Sequence, residues 1–290
     1  MKYDTAIKKN KITKRKVAHY IVSYILLILF ALIFIFPIYC LLLQSVMPDH
    51  QLLEIPSLWP ESLNFMPYLK VFTLEYLWYF KNTLFICLMN ILGVCLIGSL
   101  SAYGLAKVHF KGKEILFAVI LATVMLPGTV TSIPLYVLYT RLHMTDTSLP
   151  LWLPIWFGGG AMNIFLMRQF IKGIPNSYSE AALIDGANSF KIYYSIILPL
   201  LKPIIIYLAI QTFMTCWNDF QGPMMYLRND QSSWTISLAL YRNFQNLNSG
   251  TNKPNVQMAA GIIMMLPCVL LFAFFQKQLM EGVSTIGIKG

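Results

Sequence analysis

The chain has 290 residues, 57% of them hydrophobic and 12% charged, with a mean hydropathy of +0.61. A soluble domain carries about 25% charge, so this composition excludes an ordinary water-soluble globule and points to lipid as the solvent. The net charge of +10 admits a nucleic-acid partner, but the placement of the charges along the chain argues against one.

The basic start, Lys8-Lys9 to Lys14-Arg15-Lys16, precedes an apolar run from about Tyr20 to Leu43. That run is too long for a signal-peptide core and has no small-residue cleavage site, so it reads as a first span with an uncleaved N-terminus. Six segments are long and apolar enough to cross about 30 Å of hydrocarbon: roughly 20–43, 82–106, 115–138, 149–167, 203–226 and 258–276. Pro37, Pro127, Pro134, Pro154 and Pro267 fall within them and predict kinks. The fold class expected is an all-α membrane protein with six transmembrane helices and both termini cytoplasmic. The organisation expected is a basic cytoplasmic leader over 1–18, then a first helix with its extracytoplasmic loop over 19–81. A transmembrane domain follows over 82–280, and a cytoplasmic tail over 281–290.

Orientation follows from Lys and Arg. With the N-terminus inside, 16 of the 22 basic residues lie in inner segments. The outer side keeps Lys70, Lys81, Arg141, Arg228, Arg242 and Lys253. The basic excess is therefore a topology signal. Two outer segments are long, about 44–81 and the Asn-rich 227–257, and each reads either as a partner surface or as a solvated cap.

The segment between the fourth and fifth spans is the most informative. It reads Pro175-Asn176-Ser177-Tyr178-Ser179-Glu180-Ala181-Ala182-Leu183-Ile184-Asp185-Gly186. Ser177 and Glu180 have capping-box spacing, and Gly186 suits the left-handed position that ends a helix. Asn188 or Ser189 can cap a second helix that runs through Lys191 to Leu198 and stops at Pro199. The expected product is a helix–Gly–helix elbow. Ala181 and Ala182 leave little bulk on one side of it, which fits a docked partner or a loop helix lying on the membrane.

Glu180-Ala181-Ala182, three residues, Gly186, nine residues, Ile196, one residue and Leu198-Pro199 resemble the EAA loop of ABC importer permeases without a gap. The loop also lies between the spans where that family keeps it. Trp217-Asn218-Asp219-Phe220 and the tail Ile286-Gly287-Ile288-Lys289-Gly290 resemble those of the second permease subunit of maltose-type carbohydrate importers. The resemblance covers about residues 20–290. It implies a type I ABC importer permease fold in a bacterial inner or plasma membrane, carrying a sugar or oligosaccharide. Over 175–199 it implies a coupling helix seated on a separate ATPase, with Ser177, Glu180, Ala181, Ala182, Asp185 and Gly186 as coupling residues. It also implies as partners a second homologous permease, two ATPase subunits that hold the ATP and Mg, and an extracytoplasmic sugar-binding protein. The tail near Ser284–Gly290 reaches the ATPase interface in this reading, or is a frayed terminus.

The chain has no GxxxxGK[ST] pattern and so no sign of its own ATP site. Its deep spans are almost free of ionisable residues, which argues against an ion-coupled secondary carrier. That carrier, or a non-transport membrane scaffold, is the alternative. Gln211, Thr215 and Asn218 share a helical face, flanked by Thr212 and Asp219. Such a stripe either hydrogen-bonds a sugar or joins helices at about 1 kcal/mol per bond. Asn90 and Asn163 are weaker path candidates and more simply join helices. Thr123, Thr129, Thr131 and Ser132 are read as bonding their own helix, and Gly158-Gly159-Gly160 as loosening or tightly packing the fourth span. His19, His50, His109 and His143 have no metal or catalytic spacing, and the five cysteines read as small buried hydrophobes. No enzymatic activity, cofactor or metal site is expected within this chain.

Overall fold

A computed structural model of the chain describes residues 14–52, 59–72, 74–245 and 254–287. Most of the basic leader, Glu54 and Pro56, Asn246, Asn248 and Asn252, and the last three residues lie outside these. Every regular element among the described residues is helical. The chain divides into two compact units, Met1–Tyr68 with Lys253–Ile262, and Leu69–Asn252 with Ile263–Gly290.

In the first unit, α1 (Lys14–Val46) holds the first apolar run. All its apolar side chains from Tyr20 to Ile38 are exposed, as expected of a helix whose neighbours are lipid or another subunit. Pro37 is accommodated inside the helix. The chain then folds back. Ser45 Oγ donates to Leu42 O at 2.6 Å and shares a hydrogen bond with Tyr68 Oη at 2.7 Å. Gln51 is buried, donating to Trp59 O and accepting from the Glu61 N–H. Asn255, at the start of the last helix, donates to Met47 O at 3.1 Å. These bonds satisfy backbone groups that could not be left bare in an apolar setting.

In the second unit, α2 (Leu74–Gly93) passes through a π-turn at Val94–Gly98 into α3 (Ser99–Lys107). Ser99 Oγ donates back to the carbonyls of Cys95 and Leu96. Such back-bonding competes with the regular ladder and bends helices. The third span is not one helix: α4 (Lys113–Val124) and α5 (Gly128–Arg141) meet at 99°. Pro127 lacks an N–H and takes an extended ψ of 131°, which stops α4 and starts α5 on a new axis. The hydroxyls of Thr123, Thr131 and Ser132 bond carbonyls of their own helices.

The fourth span is also interrupted. A short helix at Leu149–Trp152 and a 3-10 turn at Leu153–Phe157 lead to Gly158-Gly159-Gly160, all with positive φ. α6 (Ala161–Lys172) follows. The glycines pack tightly: a Cβ on Gly159 would fall on the backbone of Gly98, inside the π-turn.

After the loop that carries α7 (Ser177–Ile184) and α8 (Ser189–Ile192), a second π-turn spans Tyr193–Ile197. Helix resumes to Leu200, and α9 (Lys202–Trp217) leaves at 74°. Pro203, which has no N–H for the preceding turn, marks the bend. The expected span 203–226 thus ends as a helix at Trp217, and Gln221–Tyr226 is a separate short helix. The segment after it, read from the sequence as a long outer loop, also holds a helix. Ile236–Gln245 is helical, α10, with Ile236, Leu238, Ala239 and Leu240 buried. Asn82 Nδ2 holds the carbonyls of Ser232 and Trp234, and Thr83 Oγ1 accepts the Ile236 N–H. The last helix, α11 (Pro254–Gly287), starts four residues before the expected span and continues through most of the expected tail.

Among the described residues, four helical stretches are long and apolar enough to cross a membrane, or up to six if each bent pair is one span. The core of the second unit is apolar and includes Val94, Ala102, Leu105, Phe117, Met167, Ile171, Ile197 and Leu208.

Candidate functional site: the interhelical elbow

The elbow is built as a helix, a left-handed residue and a second helix. α7 runs from Ser177 to Ile184, with Asp185 as its cap. Gly186 N donates to Leu183 O at 3.0 Å and Ala187 N to Ala182 O at 2.9 Å. That pair of bonds is the Schellman arrangement, and it requires the left-handed φ of +78° seen at Gly186. Nothing lies within 4 Å of a Cβ built there, so backbone conformation and not space is what selects glycine. Asn188 Oδ1 then accepts the Lys191 N–H at 2.8 Å and caps α8.

The start of α7 differs from the capping-box expectation. Asn176, not Ser177, is the N-terminal flanking residue, and Glu180 N donates to its main-chain carbonyl at 2.9 Å. The Asn176 side chain makes no cap because its Oδ1 accepts from Lys107 Nζ at 2.6 Å. Ser177 therefore occupies the first helical position. The two alanines also separate. Ala182 is buried in the core of this chain, while Ala181 faces outward. Glu180, Asp185 and Gly186 are exposed beside Ala181. The outward apolar surface of the elbow consists of Tyr178, Leu183, Ile184 and Phe190, which the sequence pattern did not single out. Ile184 is 87% exposed, an unusual position for so large an aliphatic side chain on a finished water-facing surface.

Behind the elbow stands α3. Ser99, Tyr103 and Lys107 recur every four residues and share one face. Ser99 Oγ lies 2.8 Å from Tyr193 Oη, and Tyr103 Oη donates to Ser189 O at 3.0 Å. Lys107 Nζ donates to Ile174 O at 2.8 Å as well as to Asn176, and Glu180 is within electrostatic reach of it. The end of α3 is also tied to α6. Arg168 Nε donates to Leu105 O at 2.9 Å, and its guanidinium lies 3.8 Å from the centre of the Phe117 ring. Lys113 Nζ donates to Val108 O at 3.1 Å. Cationic donors on the last carbonyls of a helix complement its dipole. None of these ties was legible as a function, although the four-residue spacing on α3 was a signal in plain view.

The path candidates fall into two groups. Asn90 is buried, and its Nδ2 donates to Ile86 O at 2.9 Å and Leu151 O at 3.0 Å. Asn163 Nδ2 donates to Gly159 O at 2.9 Å. Asn90 thus joins α2 to the fourth span, whereas the Asn163 bond is local, from α6 back to the glycine turn before it. On α9, by contrast, Gln211, Thr215 and Asn218 form an exposed stripe, with Thr212 half-buried beside it. Thr215 bonds Gln211 O, and Asn218 Nδ2 bonds Met214 O at 2.8 Å. Asn218 is the cap of α9. Asp219 lies beyond it, accepting the Gly222 N–H at 3.1 Å. No group of three or more His, Cys, Asp or Glu among the described residues could hold a metal ion.

Residues 95–284, which include the elbow and the whole of α3, match the model of the family described as binding-protein-dependent transport system inner membrane component. The chain belongs to that family. This inner-membrane permease is 30% identical over 266 residues to the arabinooligosaccharides transport system permease protein AraQ of Bacillus subtilis (strain 168). The alignment covers 90% of this chain and 92% of that relative. The permease is also 31% identical to the probable starch degradation products transport system permease protein AmyC of Thermoanaerobacterium thermosulfurigenes, over 95% of this chain and 99% of the other. Its fold matches a chain of a bacterial ABC transporter involved in the import of the acidic polysaccharide alginate. The TM-score is 0.81 at 23% identity, over 91% of this permease and 98% of that chain. The permease is thus a multi-pass membrane subunit with the fold of ABC importer permeases, and the family's members are transport subunits and not enzymes themselves.

Proposed function

We propose that this permease is one transmembrane half of an ATP-driven importer that carries a sugar or oligosaccharide inward by alternating access. The observation that carries the reading is the elbow: a Schellman turn at Gly186 that presents Tyr178, Glu180, Ala181, Leu183, Ile184 and Phe190 outward. Those groups form the surface that a separate ATPase subunit grips. The carbohydrate transport named for both relatives supports sugar as the cargo class.

The assembly contains this chain, a second homologous permease and two ATPase subunits, and an extracytoplasmic sugar-binding protein delivers the cargo. Six spans cross the membrane, with each bent pair counted as one and both termini inside, as the excess of Lys and Arg supports. ATP and Mg are bound and consumed in the ATPase subunits. Glu180 and Asp185 give the elbow its charge, Ser177 and Ala181 allow close approach, and Gly186 sets the angle between its helices. Ala182 acts from the inside, fixing α7 to the core. Gln211, Thr215 and Asn218, with Thr212 and Asp219 beside them, line the passage towards the second permease. In that position their unburied polar groups exchange hydrogen bonds with sugar hydroxyls. Asn90 braces the helices around the passage, and Asn163 holds the glycine turn at the start of α6.

Purification of the tagged chain from its native membrane in mild detergent tests the assembly. An ATPase and a second permease are expected to come down with it, and a chain purified without any ATPase would refute the reading. Uptake of a panel of labelled oligosaccharides by a deletion strain tests the cargo, and at least one is expected to lose ATP-dependent entry.

A further inference from the structure

The elbow is not merely attached to the membrane helices by the chain on either side of it. Its two flanks are held by one face of α3, through side chains spaced four residues apart. Lys107 grips the entry to α7 at Ile174 and Asn176, Tyr103 grips the first residue of α8 at Ser189, and Ser99 reaches Tyr193. Tyr103 and Tyr193 also pack with ring centroids 5.4 Å apart.

The uppermost contact joins two irregular places. Ser99 directly follows the π-turn at Val94–Gly98, and Tyr193 opens the π-turn at Tyr193–Ile197. π-turns are single-turn departures from the α-helix found often at functional sites. One of these bears the contact of Gly98 with Gly159, and the other leads to the 74° bend into α9. Hydrogen bonds between side chains of packed helices couple them as a unit. A helix face held at three heights follows the elbow as a lever and does not slide past it.

From this arrangement we propose that Ser99, Tyr103 and Lys107 are positioning residues that transmit movement of the elbow into the α2–α3 helix, so that the span and the elbow rock together. The proposal rests on the reading of the elbow as the ATPase contact. Lys107 and Asn176 fix the near end of the lever, and the Ser99–Tyr193 bond fixes the far end, where both helices depart from regular geometry. The ladder sets how much transport each ATPase cycle produces. It does not set whether the ATPase binds.

The test uses the complete transporter in proteoliposomes, with its ATPase, second permease and binding protein. Three variants are compared with wild type, Ser99→Ala, Tyr103→Phe and Lys107→Met, and Lys107→Arg serves as the conservative rescue. ATP hydrolysis and sugar import are measured on the same vesicles. A single hydrogen bond is worth about 1 kcal/mol, and one to a charged group somewhat more. Import per ATP hydrolysed is therefore expected to fall about fivefold for Tyr103→Phe and about tenfold for Lys107→Met. Hydrolysis is expected to stay within about twofold of wild type. Lys107→Arg is expected to recover most of the ratio. An unchanged ratio in all three variants overturns the ladder while leaving the proposed function standing. Loss of the ATPase from a variant complex also overturns it, because the contacts would then serve assembly alone. Absence of any ATPase from the wild-type complex overturns both the ladder and the function.

Discussion

Arg168 holds both carboxylate oxygens of Glu114, at 2.7 and 2.8 Å, across the packing of α6 on α4. The arginine is 2% exposed and the glutamate 67%, so one partner is desolvated and the other is not. Removing the carboxylate leaves a buried cation with, among the described residues, Leu105 O and the Phe117 face. Glu114→Gln is expected to destabilise by about 1–2 kcal/mol, a charged hydrogen bond discounted for the exposure of the glutamate. The double variant Arg168→Met with Glu114→Gln is expected to lose less than the sum of the singles. Thermal unfolding of the four proteins in detergent checks this, and strictly additive losses would show that the pair is idle.

Gly186 adopts φ +78° in open space. Gly186→Val is therefore expected to cost about 1–3 kcal/mol in backbone strain alone, concentrated in the elbow. Gly186→Asn is expected to be the mildest replacement, because asparagine tolerates the left-handed region. Uptake corrected for membrane abundance should rank Gly, Asn, Ala, Val, and a flat ranking would mean that the turn is not used.

Gly159 and Gly98 touch backbone to backbone. Gly159→Ala is expected to destabilise by at least about 1–3 kcal/mol, the usual cost of overpacking. Gly104→Ala is the matched control, since nothing lies within 4 Å of its Cβ. In a helix interior that change is expected to stabilise by about 0.5–1 kcal/mol. Protease resistance of the two variants in membranes should move in opposite directions.

Asp146 joins the turn after α5 to the segment after Tyr226. Its carboxylate accepts the N–H groups of Arg228 and Asn229 at 2.8 Å and the Asn229 side chain at 2.9 Å. These bonds, those from Asn229 first, hold its pKa below the ordinary carboxylate value of about 3.9. A lowered folded-state pKa adds stability above the unfolded value and loses it as pH falls through the folded one. Protection of the Arg228 and Asn229 amides, taken relative to their intrinsic exchange rates, should thus be insensitive to pH near neutrality. Below about pH 4 their protection should weaken in wild type. Asp146 has a left-handed φ of +60°, which asparagine tolerates, so Asp146→Asn is expected to keep the turn and remove that pH dependence.

Asn90 and Asn218 are chemically alike and placed differently. Asn90→Ala breaks two buried bonds and is expected to cost about 1–3 kcal/mol of stability. Asn218→Ala, with Gln211→Ala, lies on the exposed stripe of α9. It is expected to shift the sugar concentration needed for half-maximal uptake while leaving the melting temperature within about 1 °C, a small change for a surface site. The reverse outcome would exchange their roles.

Much of this molecule is legible in its amino-acid sequence. Apolar runs locate the helices because lipid imposes length and composition together. Gly186 and Asn188 announce the elbow because both act locally, glycine by lacking the Cβ that disfavours the left-handed turn and asparagine by capping the next helix with its side chain. Non-local competition hides the rest. Ser177 and Glu180 have capping spacing, yet Lys107, nearly 70 residues away, engages Asn176 and helps fix where the helix starts. Ala181 and Ala182 are equivalent as letters, and only the packing of α7 distinguishes the buried one. The third span reads as continuous because hydropathy is blind to direction, whereas Pro127 turns it through nearly a right angle. The helix Ile236–Gln245 is concealed by the polar residues around it. Its buried face emerges only once Thr83 and Asn82 are brought alongside.

The exposure of Ile184 has a practical consequence for spectroscopy. Cys87 is buried, and Cys40, Cys95, Cys216 and Cys268 are partly so, none of them in the elbow. A thiol introduced by Ile184→Cys would stand out in accessibility from all five. A fluorophore or spin probe attached there would report the departure and return of whatever seats on the elbow, cycle by cycle, in a chain that keeps its native cysteines.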